Sequence, residues 1–111
     1  MKRDRAYSRI TKYAGEMLGQ QIKLARKQQR WTEAELAERA GISRTTLQKI
    51  ERGDLSCAVG LMFECAALTG VKLWDYYELP LPKQLEHTRD KLALLPRRVR
   101  KRKCKNFRDD F

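Results

Sequence analysis

Few side chains in this 111-residue chain could do bond-making chemistry, and their spacing excludes most of it. There is one histidine, His87, and there are three cysteines, Cys57, Cys65 and Cys104, with no Cys-x-x-Cys pair among them. A structural zinc site or a disulfide framework needs several such groups at close spacing, so neither is expected and the thiols read as reduced. His87 lies in a polar stretch with no neighbouring nucleophile. Cys57 and Cys65 fall on or beside a core-facing helix, where a thiol packs as a small hydrophobe. No glycine loop of the phosphate-cradling kind is present. No cofactor is implied, and the chain reads as a binding protein rather than an enzyme.

Cationic chemistry, by contrast, is abundant. Twenty-five Lys and Arg against fourteen Asp and Glu give a net charge of +11. Residues 1–13 carry +4 and residues 97–111 carry +6, so the 83 residues between them are almost neutral at +1. Two basic ends flanking a neutral middle point to a polyanionic partner. A membrane surface would need apolar residues interleaved with the charges, and the run Arg97 to Lys103 offers only Val99. No apolar stretch approaches the roughly 18 residues of a membrane helix, and none follows the first five residues as a signal segment would. A cytoplasmic protein that does not engage membrane is expected. RNA recognition usually needs an aromatic stacking platform, which is missing, so duplex DNA is the favoured polyanion.

One set of hydrogen-bonding groups is periodic. If residues 43–53 are helical, Leu47 and Ile50 set an inward direction. At about 100° per residue, Thr45, Gln48, Lys49 and Arg52 then share the opposite face, with Arg44 beside them at the first turn. Such groups fit a major groove: Arg44 and Lys49 can reach guanine O6 and N7, and Thr45 can offer a hydroxyl to a base edge or a methyl to thymine. A polar outer face is ordinarily just solvated, so the stripe takes its meaning from the elements around it.

Those elements are marked by glycine punctuation and caps. Leu18, Ile22 and Ala25 recur at i, i+4 and i+7, predicting a helix from about Ala14 to Gln29. Thr32-Glu33-Ala34-Glu35 reads as a capping box opening a helix with Leu36, Ala37 and Ala40 inward, ended by Gly41. Ser43 can cap the next helix, which Gly53 closes at the position after its C-cap. A fourth helix is expected from about Ala58 to Leu68, stopped by Gly70. Two short helices joined through a glycine turn form a helix-turn-helix layout.

The stretch from Trp31 to Gly53, WTEAELAERAGISRTTLQKIERG, resembles the Cro/repressor-type helix-turn-helix, also called the xenobiotic-response-element family. The matching pattern is AELAERAGIS, then Leu47, Ile50, Glu51 and Gly53, preceded by an Arg in the first helix; the resemblance covers roughly residues 14–74. It implies an all-α, four- to five-helix domain in a regulator of double-stranded DNA. It also implies that Arg44, Thr45 and Lys49 sit where the family reads bases, with Gln48 and Arg52 beside them. Ser43 matches a position that touches phosphate or a neighbouring base, and Thr46 completes the expected DNA-binding set. Arg26 is implied as the ion-pair partner of Glu51, a structural role. One residue departs from the pattern: the family usually has a phosphate-binding Gln where this chain has Glu33. A carboxylate there suits the helix dipole but repels phosphate, leaving the basic arms as its substitute. The run from Ala40 to Asp75, with the basic C-terminal extension, further resembles HipB-type antitoxins. That implies autorepression of an operon and a HipA-like kinase toxin as partner; a stand-alone or phage-type repressor shares the motif and remains the alternative.

The chain is thus expected to comprise a basic N-terminal arm (1–13), a helix-turn-helix domain (14–79), an additional C-terminal helix (80–96) and a basic disordered tail (97–111). Val71 to Tyr77 mixes strand formers with aromatics and fits either a fifth helix or a short strand pairing across a dimer. Beyond Pro80, Leu81, Leu85, Thr88, Leu92 and Leu95 have 4-3-4-3 spacing, the pattern of a dimer seam or of a helix folding back on its own domain. A homodimer on a palindromic operator is the expected assembly.

Overall fold

The computed structural model describes residues 5–74, 79–99 and 101, and every regular element among them is a helix. These are α1 (Arg9–Gln28), α2 (Glu33–Ala40), α3 (Arg44–Glu51), α4 (Val59–Thr69) and α5 (Leu81–Leu94). The protein is all-α. Residues 71–74 lie in neither helix nor strand, and residues 75–77 of the same segment fall outside the described residues. So does most of the tail read as disordered, residues 100 and 102–111. The chain divides into two compact units, Met1–Leu73 and Trp74–Phe111.

Apolar spacing places the start of α1 at Ala14, but the helix begins at Arg9. Ser8 is the cause: its backbone is extended and its hydroxyl accepts the Thr11 N–H at 3.3 Å, a cap that apolar periodicity does not report. Arg9 and Lys12, counted with the N-terminal arm by their charge, are therefore helical.

In the first unit, Ile22, Leu36, Leu47, Ile50 and Cys65 are fully buried, joined by Ala37, Met62 and Ala66 in one cluster drawn from α1, α2, α3 and α4. The α1–α3 contact is made backbone to backbone. A Cβ at Gly19 would lie 2.5 Å from the Ile50 carbonyl oxygen and 2.8 Å from that of Glu51. Gly53, at φ +83°, would likewise put a Cβ 2.7 Å from the Cα of Glu16, so both its conformation and its space require glycine. The Gln29 amide adds a tie from the end of α1, donating to the Thr69 carbonyl at the end of α4 at 2.8 Å.

In the second unit, α5 follows Pro80 and carries Pro82 in its first turn, where a missing N–H costs nothing. Gln84 donates to the Leu79 carbonyl at 2.7 Å, holding the helix start. Leu81, Leu85, Leu92 and Leu95 are all exposed.

Candidate nucleic-acid interface

The first half of the site is a rigid frame. Thr32 and Glu35 form a reciprocal capping box: the Thr32 hydroxyl accepts the Glu35 N–H at 3.1 Å, and the Glu35 carboxylate accepts the Thr32 N–H at 2.8 Å. Gly41, at φ +72°, ends α2, and the Ile42 N–H returns to the Ala37 carbonyl at 3.0 Å. Two residues later Ser43 opens α3, its hydroxyl accepting the Thr46 N–H and donating to Thr46 Oγ1, both at 3.0 Å. The hydroxyl of Ser43 is thereby committed to the cap, whereas that of Thr46 keeps its own hydrogen to donate.

α3 then divides cleanly. Leu47 and Ile50 are completely buried, while Arg44, Thr45, Lys49 and Arg52 are exposed and Thr46 and Gln48 half-buried. Behind the helix, Arg26 of α1 grips Glu51 in a bidentate pair, Nε to Oε2 at 2.8 Å and Nη2 to Oε1 at 3.1 Å. Its remaining nitrogen, Nη1, donates to the Trp31 carbonyl at 3.0 Å. The hydrogen bond to Glu51, opposed by burial, raises the Arg26 pKa above its ordinary value. This planar fork locks the end of α3 against α1.

Glu33 is the residue that the spacing alone does not place. Its Oε1 accepts from Gln48 Nε2 at 3.0 Å and from Arg44 Nε at 3.3 Å, joining two members of the expected set through one oxygen. The Gln48 hydrogen bond first, and then Arg44, hold its carboxyl below the ordinary carboxylate range against a smaller opposing effect of burial. It stays ionised at neutral pH. Apart from this link through Glu33, the side-chain hydrogen bond within the set among the described residues is that between Ser43 and Thr46. Among those residues, no group of three or more His, Cys, Asp and Glu stands where it could hold a metal, and no described helix is long and apolar enough to cross a membrane.

A glycine turn, a capped short helix and a polar outer face backed by a buried ion pair make up a helix-turn-helix arrangement. Residues 22–73, a little under half of the chain, match the model of a helix-turn-helix family, which supports a repressor-like, DNA-binding transcriptional regulator. Comparison with curated proteins and with solved structures gives no match.

Proposed function

We propose that the protein is a cytoplasmic, homodimeric repressor that reads a palindromic operator in double-stranded DNA with α3, and that it is the antitoxin of a toxin–antitoxin pair. The observation carrying the reading is the exposed row on α3, set opposite the fully buried Leu47 and Ile50. Arg44 and Lys49 donate to guanine edges, Thr45 meets a base edge or a thymine methyl, and Gln48 and Arg52 extend the contact. Ser43 and Thr46 lie at the helix start, near the phosphates flanking those bases. The exposed leucines of α5 at 4-3 spacing support a dimer, and two half-sites would then lie about one helical turn apart.

The antitoxin role is supported by the likeness of the run Ala40 to Asp75 and the basic extension to HipB-type antitoxins. It makes a HipA-like kinase the protein partner and the operon's own upstream DNA the target. Co-expression with the adjacent reading frame tests this. A stoichiometric partner, toxic when expressed alone, is expected to co-elute. A lone homodimer that still shifts its own upstream DNA would leave a stand-alone repressor. Arg44→Ala or Lys49→Ala should cost about 1–3 kcal/mol at particular base pairs. Equal loss on every sequence would refute their role in base reading.

A further inference from the structure

Two lysines outside the base-reading set border the recognition helix. Lys23 and Lys27 stand one turn apart on α1, both exposed. Lys23 shares a cleft with Arg52, Glu33, Gln48 and Glu51. Lys27 shares a second with Arg44, Arg26, Glu33 and Thr32. A broader opening joins both lysines to Arg52. Glu33 thus stands in the wall between two clefts, each furnished with one lysine from α1 and one arginine from the α3 segment.

The acids in these walls are mostly engaged already. Glu51 is taken by the buried Arg26, and Glu33 by Gln48 and Arg44. Among the described residues neither lysine forms an ion pair, while Arg52 lies near enough to Asp54 to help lower its carboxyl pKa, behind the hydrogen bonds from Ser56. The broader opening sets Lys23, Lys27 and Arg52 against Glu16 and the paired Glu51. Gln48, a base-edge candidate, lines the Lys23 cleft itself, so that cleft opens directly beside the row of α3 read as meeting the bases.

We propose that the two clefts seat backbone phosphates of duplex DNA on their α1 lysines, Lys23 in the cleft beside Arg52 and Lys27 in the cleft beside Arg44, while both arginines stay with the base-reading row. The two lysines replace the phosphate anchor that a carboxylate at position 33 denies, and they do so from the folded domain rather than from the basic arms. The proposal rests on the DNA-binding reading and supplies its sequence-independent half. Phosphate contacts fix position and carry no base information, so these lysines set affinity and salt dependence and leave sequence preference alone.

The test uses the full chain and a fluorescently labelled 30-base-pair duplex of mixed sequence, titrated across a series of salt concentrations. Each phosphate left without its lysine lowers the log–log slope by about 0.9, so Lys23→Ala/Lys27→Ala is expected to flatten it by about 1.8 per bound protomer. Arg89→Ala/Lys91→Ala, an equal charge loss on α5, is expected to leave the slope near that of the unsubstituted protein. Thermal melts should coincide for all three, since every replaced side chain is exposed. An unchanged slope for the α1 variant, or equal flattening by the α5 variant, overturns the seats while leaving α3 as the reader. Failure of the unsubstituted protein to bind any duplex overturns the DNA-binding reading and the seats with it.

Discussion

The hold of α1 on α3 is tested most sharply by Arg26→Ala. The side chains of Arg26 and Glu51 are only 6% and 5% exposed, and the arginine makes three hydrogen bonds, two to the carboxylate and one to the Trp31 carbonyl. Alanine leaves Glu51 charged, buried and without its donors, a state that costs about 3–5 kcal/mol, whereas an exposed ion pair contributes only ~0.2–1 kcal/mol. A small domain has about 5–15 kcal/mol in all and loses roughly 4–8 °C of Tm per kcal/mol, so a fall of at least about 12 °C is expected. Urea and thermal unfolding followed by circular dichroism at pH 7 measure it. The companion Arg26→Met/Glu51→Leu replaces both charges with apolar groups of similar volume. It should recover most of the loss, short by about 1 kcal/mol for the Trp31 carbonyl left without a donor. A loss below about 1 kcal/mol for Arg26→Ala, or a double variant no more stable than the single one, would refute the reasoning.

Gly19→Ala drives a Cβ into the Ile50 carbonyl, a backbone atom that cannot swing aside, and should cost about 1–3 kcal/mol in thermal melts; an unaffected Tm would count against the close α1–α3 approach. Glu33→Gln removes a negative charge from between the two clefts and loosens its hold on Arg44, so affinity for any duplex should rise severalfold; weaker binding would mean that Glu33 serves mainly to orient Arg44 and Gln48. Burial first, and then the carboxylates of Glu51 and Glu64, push the Cys65 thiol from 9.0 up to about 11. The fold keeps the neutral thiol, so this contribution to stability is complete below pH 9 and is lost as the pH rises through about 11. Denaturation between pH 8 and 11.5 should show that alkaline decline, and Cys65→Ala, although less stable throughout, should flatten it.

Much of the fold is legible in the chain because its local signals agree with one another. The Thr32–Glu35 capping box, the αL glycines at 41, 53 and 70, and the inward Leu47 and Ile50 all stand where spacing puts them. What escaped has a common physical basis. The start of α1 is set by one serine hydroxyl, and apolar periodicity carries no information about a cap that lies outside the apolar stripe. Gly19 looks like a weak point inside a helix until the end of α3 is laid against it, and Gly15 until Gly53 and Leu55 beyond α3 are, because a close approach is a property of two segments. Glu33 reads locally as a favourable charge at a helix start. Its tie to Gln48, fifteen residues away, exists only once the turn has brought α2 and α3 together. Lys23 and Lys27 pass for ordinary solvated charges on α1, since only the packed domain shows what they face.

The shortness of α3 explains why those contacts matter for DNA binding as well as for stability. Eight residues are far below the roughly 12–15 at which an isolated helix becomes even marginal, so the orientation of α3 comes from its packing and not from its own propensity. Three devices supply that packing at different points along it. Ser43 fixes the start, Leu47 and Ile50 hold the middle, and the Arg26 fork with the Gly19 approach clamps the end. A disturbance at Arg26 or Gly19 therefore tilts the whole outer row at once, moving Arg44, Thr45 and Lys49 relative to any groove. Such variants should lose preference at several base pairs together, whereas Arg44→Ala loses it at one. That contrast separates residues that aim the helix from residues that touch the DNA.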